Sequence, residues 1–100
     1  MKTTPKKLLT ILTSESMEKT VIEELLAAGA NGATAVTARG RGAHGVRPSH
    51  WASGNVRIEV MGDDAMVQRA LGVLDRYRPE TPVVAWVTDV QAWPADKFGG

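Results

Sequence analysis

The segment Ala38-Arg39-Gly40-Arg41-Gly42-Ala43-His44-Gly45-Val46-Arg47 concentrates the residue types that hold an anion. Arg39, Arg41 and Arg47 supply permanent positive charge on planar, forked donors, and the three glycines let the backbone approach a ligand closely enough to present its own N–H groups. No acidic residue occurs from Leu25 to Ile58, so nothing nearby in the chain neutralises these charges. That combination describes an anion site.

Other chemistries find less support. With no cysteine in the chain, a disulfide framework, a zinc–thiolate centre and a thiol nucleophile are all excluded, and the composition suits a reducing compartment, the cytoplasm by default. His44 and His50 are the only histidines and make a poor zinc set within one chain. Ser14, Ser16, Ser49 and Ser53 lack a recognisable nucleophile setting, and Asp63-Asp64 reads as a helix start rather than an acid–base dyad. An enzyme is not expected. The 12 basic and 11 acidic side chains nearly cancel, which argues against nucleic acid as a partner. The Arg-Gly-Arg-Gly text has too few repeats to act as an RNA-binding tract.

The elements that must position the basic segment follow from hydrophobic period. Leu8 to Leu12 is a compact apolar run, read as a first strand. From Glu15 the period becomes helical, with Met17, Val21, Leu25 and Ala28 on one stripe, Ile22 and Leu26 beside it, Ser14 or Ser16 as cap and Gly29 as terminator. Ala33 to Arg39 reads as a second strand. Val56-Arg57-Ile58-Glu59-Val60 alternates strictly, placing three apolar side chains on the core face and Arg57 and Glu59 on the other. A second helix begins at Asp63 or Asp64, presents Met66, Val67, Ala70, Leu71, Leu74 and Tyr77, and ends at Pro79; Val83 to Val90 is the last strand.

The order is βαββαβ, an α+β ferredoxin-like sandwich: an antiparallel sheet with two helices on one face. The whole chain, 1–100, is expected to form one domain, with an N-terminal tail over 1–6, a long flexible loop over about 40–54 and a C-terminal tail over 91–100 that is ordered only against a neighbouring subunit. The face without helices, carrying residues such as Val84 and Trp86, is expected to be buried against copies of the same chain.

In order and spacing, Gly29, the Gly32-x-Thr34 turn, Ala38 to Gly42, Gly45-Val46-Arg47 and Asn55 to Val60 resemble the PII signal-transduction family, and more closely its PII-like branch associated with carboxysomes and bicarbonate transporters. The likeness covers about Lys7 to Val90. It implies a homotrimer that binds adenine nucleotides in the clefts between subunits and signals through its long loop. By position, Gly32 and Thr34 would border the adenine or ribose, and Met61 and Gly62 would lie against the base from the same or an adjacent subunit. Arg39, Gly40, Arg41, Gly42, Ala43, His44, Gly45, Val46 and Arg47 would face phosphate, with Lys97 reaching it from the tail.

Where the PII pattern has a glycine-rich phosphate loop with a lysine, this chain has Arg78-Pro79-Glu80-Thr81-Pro82. The resemblance therefore implies AMP or ADP as ligand, with ATP and cyclic AMP as further candidates and bicarbonate as a small planar anion suited to an arginine fork. No cofactor is required. The implied partner is a bicarbonate transporter or carboxysome-related protein, through which the chain would reach a carboxysome or membrane. Two alternatives stand beside this: a divalent-metal-binding trimer of the cation-tolerance type using His44 or His50, and a nucleotide-independent adaptor anchored by Trp51.

Overall fold

The structure, a computed structural model, describes residues 1–39 and 54–99. Four strands, β1 (Thr4–Ser14), β2 (Thr34–Ala38), β3 (Asn55–Gly62) and β4 (Val83–Ala92), form one antiparallel sheet in the order β2-β3-β1-β4. Two helices, α1 (Glu18–Ala27) and α2 (Asp64–Tyr77), cover one face. This is the ferredoxin-like βαββαβ arrangement.

Strand alternation decides what is buried. Leu9 and Ile11 of β1 and Val56, Ile58 and Val60 of β3 point to the helix side, where Val21 and Leu25 of α1 and Met66, Val67, Ala70 and Leu74 of α2 close over them. Burying a side chain of this size is worth about 1.5–3 kcal/mol, so this layer is the main adhesive of the domain. Thr13 joins it as a buried polar residue whose hydroxyl donates to the Pro82 carbonyl at 2.9 Å, tying the end of β1 to the turn before β4.

Several boundaries differ from the sequence reading. Thr4, Pro5 and Lys6 belong to β1 rather than to a tail, and Gln91 and Ala92 belong to β4, because these two stretches pair with each other. Pro5 is tolerated there: β3 ends at Gly62, opposite Lys7, so β1 has a neighbour on one side only at this point. The C-terminal tail is ordered within its own chain. Ala95–Phe98 forms a 3-10 turn whose Ala95 N–H donates to the Lys2 carbonyl at 3.3 Å.

The first helix also enters differently. Glu15–Met17 is a 3-10 turn ahead of α1, and neither serine caps it by side chain; their hydroxyls pair with each other at 2.9 Å. Leu26 lies exposed, because its position rotates away from the buried Val21–Leu25 stripe. Gly29 terminates the helix as expected, at φ 112°. The Arg69 Nε–H donates to the Ala28 carbonyl beside it at 2.8 Å, a cation placed on the negative end of the helix.

Asp63 is the N-cap of α2, accepting the Met66 N–H at 2.8 Å through Oδ1. Removing that acceptor strands an amide at a helix start. Asp63→Ala should lower unfolding free energy by about 1 kcal/mol, read from urea denaturation, with Asp64→Ala as the milder control.

Candidate functional site

The sequence-predicted site residues fall at opposite ends of the sheet. Thr34 opens β2 and pairs with Glu59; Met61 and Gly62 close β3 opposite Leu8 and Lys7. Gly32 sits exposed in the turn before β2, with open space around it. These four share one end, and there Gly62 packs against the Met66 side chain at the start of α2. The Lys7 ammonium is hydrogen-bonded to Asp89 across β1 and β4. That bond, with the Asp89 charge, holds its pKa above the ordinary lysine value.

Arg39 lies at the other end, exposed after β2, beyond the Ala38–Asn55 pair. Five residue steps along the strand separate it from Thr34, roughly 17 Å at ordinary strand rise. Gly40, Arg41, Gly42, Ala43, His44, Gly45, Val46 and Arg47 lie outside the described residues, as do His50 and Trp51. Lys97 is exposed in the last 3-10 turn, past the end of β4 and on the Gly62 side of the sheet, with its ammonium 5.9 Å from the Phe98 ring centroid. One chain therefore does not bring the base-bordering residues and Arg39 together.

At the Arg39 end the backbone of residues 78–82 is already committed. The Arg78 N–H donates to the Leu74 carbonyl at 3.2 Å, and the Glu80 and Thr81 N–H groups donate to the Tyr77 carbonyl at 3.2 and 3.0 Å. Pro79 and Pro82 have no N–H to give. This turn has no free amide donors with which to cradle a phosphate, which gives a physical basis for the missing glycines.

The return from the 40–53 stretch is anchored firmly. The Gly54 carbonyl accepts the Glu15 N–H at 3.0 Å, and its φ of 100° is one that L side chains rarely adopt. A Cβ at Gly54 would stand 2.8 Å from the Glu15 carboxylate. Sequence reasoning assigns Glu15 only to a helix start, and its role here depends on a contact with a distant part of the chain that no local pattern reveals.

A groove the sequence did not announce runs between α2 and the outer edge of β4. It has a volume of about 640 Å³ and is lined by Leu71, Gly72, Asp75, Arg78, Val83 and Ala85 among others. None of the predicted site residues in the described part of the chain reaches it.

The sequence model of nitrogen regulatory protein P-II matches residues 6–97. The chain belongs to the P-II family. A PII-like signaling protein from Thermus thermophilus shares 34% identity over 98% of this chain and 99% of its own, with a TM-score of 0.83. The CPII of Thiomonas intermedia K12, solved with ADP and bicarbonate, is 25% identical over 91% of each chain with a TM-score of 0.78. Solved with ADP, AMP and acetate, the same protein superposes over 98% of both chains at a TM-score of 0.83 and 23% identity. No curated protein matches the sequence. Among the described residues of this P-II family chain, no helix is long and apolar enough to cross a membrane.

Gly54→Ala in this P-II domain should cost about 1–3 kcal/mol of stability, from positive φ and the crowding by Glu15 together. Thermal and urea unfolding measure it; full stability in the variant would mean that the root of the 40–53 segment rearranges freely.

Proposed function

We propose that this P-II family chain is a non-enzymatic regulator that binds AMP or ADP, together with bicarbonate, in clefts between the subunits of a homotrimer. The observation that carries the reading is the separation of Thr34, Met61 and Gly62 from Arg39 by the length of β2. A ligand that needs an apolar slot for its base and the arginines for its phosphate meets both where the ends of neighbouring copies come together. The CPII structures with ADP and bicarbonate support the ligand class.

The committed turn at 78–82 favours a mono- or diphosphate over a gripped triphosphate. The arginines of the 39–47 segment then supply the charge, and the same planar forks accept bicarbonate. Binding acts as a signal because a partner distinguishes liganded from free forms of the segment, to the extent of the ligand's differential affinity for them. A bicarbonate transporter or a carboxysome-related protein is the partner class this reading selects.

Calorimetric titration with AMP, ADP, ATP and cyclic AMP, with and without bicarbonate, tests it. AMP or ADP should bind more tightly than ATP, and Arg41→Ala or Arg47→Ala should weaken that binding by about 1.5–3 kcal/mol, the range for a charge-assisted hydrogen bond. No heat with any nucleotide removes the reading. Unchanged affinity in both variants moves the phosphate away from this segment.

A further inference from the structure

Asn31-Gly32 is the one Asn-Gly pair in the chain, and it lies in the join between α1 and β2. The join is held at both ends and free in the middle. Before the pair, the Gly29 and Ala30 N–H groups donate to the Leu26 and Leu25 carbonyls, both at 3.1 Å, and Ala30 is buried. After it, Ala33 packs against the core and Thr34 pairs with Glu59. Asn31 and Gly32 themselves are exposed. Among the described residues, neither the Asn31 side chain nor the Gly32 N–H has a hydrogen-bond partner.

This placement leaves the pair free to react within itself. The Gly32 main-chain nitrogen passes its proton to water and attacks the Asn31 side-chain carbonyl carbon, Cγ. The new C–N bond closes a succinimide ring, and the side-chain nitrogen leaves as ammonia. Water then opens the ring. Cleavage of the Cγ–N bond leaves an aspartyl residue in the ordinary chain; cleavage at the main-chain carbonyl leaves an isoaspartyl residue, whose chain runs through Cβ and Cγ. No oxidant, cofactor or second protein takes part.

The surroundings favour the attack at position 31 and oppose it elsewhere. Gly32 has no Cβ to shield its nitrogen, and a Cβ built there would meet nothing within 4 Å, so the fold does not crowd it either. The other asparagine, Asn55, is the opposite case. It lies in β3 with its side-chain oxygen buried, and the residue after it is the β-branched Val56, 1% exposed and paired with both β1 and β2.

We infer that Asn31 is a site of self-catalysed deamidation, which turns the α1–β2 join from neutral to anionic as the molecule ages. The new carboxylate falls in the stretch from Leu25 to Ile58, which has no acidic residue of its own. The isoaspartyl product also lengthens the backbone by one methylene between two anchored ends, so Thr34 at the start of β2 is displaced. Under the proposed function Gly32 and Thr34 border the base, and the modification weakens nucleotide binding. That consequence rests on the proposed function; the modification itself does not.

The test begins with folded wild-type protein held at neutral pH over days and then digested with trypsin, which cuts after Lys19 and Arg39 and so separates Asn31 from Asn55. Mass spectrometry should find a gain of about one dalton on the 20–39 peptide, resolved by chromatography into aspartyl and isoaspartyl forms, and none on the peptide carrying Asn55. Asn31→Gln, whose longer side chain closes a ring far less readily, and Gly32→Ala should each slow the gain at least about tenfold, with circular dichroism confirming that both fold. A 20–39 peptide that stays unmodified in folded protein, while the same chain in urea gains the mass, overturns the inference; so does a gain at the wild-type rate in both variants. Calorimetry with ADP on fresh and aged samples then reads the consequence. Aged wild type should bind at least about threefold more weakly than fresh, from the added negative charge, and aged Asn31→Gln should match its own fresh sample. Full modification with unchanged ADP affinity overturns the consequence alone. Fresh wild type that binds no ADP removes the regulator reading and leaves the modification standing.

Discussion

Covering a four-stranded sheet with helices on one face only is the constraint from which the rest of this structure follows. Side chains of β1 and β3 alternate between a sealed layer, where Leu9, Ile11, Val56, Ile58 and Val60 meet the helices, and an open layer, where Thr10, Arg57 and Glu59 meet Trp86. The first layer makes the domain stable. The second gives it a surface that is neither ordinary polar exterior nor ordinary core, and both the proposed assembly and the proposed ligand cleft depend on how that surface is covered.

Strand direction adds a second consequence. Because β2 runs from Thr34 to Ala38 without a break, residues suited to a nucleobase and a cation suited to a phosphate are held apart by the rigid length of the strand. Under the proposed function, a site divided in this way is incomplete in a single copy and completed between two. Ligand binding and assembly then become linked properties, since a ligand that bridges copies stabilises the assembled form by mass action.

Much of the fold was legible because its signals are local and redundant. The strict alternation of Val56 to Val60 specified both a strand and its faces, and the Asp63 cap with the Met66, Val67, Ala70 and Leu74 stripe specified α2. What was not legible depends on long-range pairing. Thr4 to Lys6 carry no apolar pattern and become strand only because Val90, Gln91 and Ala92 lie alongside. Ser14 looked like a cap, yet it is buried and turned toward Ser16, while the backbone of Glu15 is committed to Gly54. For the candidate site, residue types announced an anion and the resemblance announced a nucleotide. The strand read over Ala33 to Arg39 already held Thr34 and Arg39 at opposite ends; what it did not show is that Met61 and Gly62 share the Thr34 end, which depends on the pairing of β3 with β1 and β2.

A crystal structure of the chain grown with ADP and bicarbonate tests the central claim most directly. The account predicts ADP between two copies, its base against the Thr34 and Gly62 end of one and its phosphates against the Arg39 end of the other. ADP held wholly within one copy, or lying on a surface remote from both ends, would contradict it.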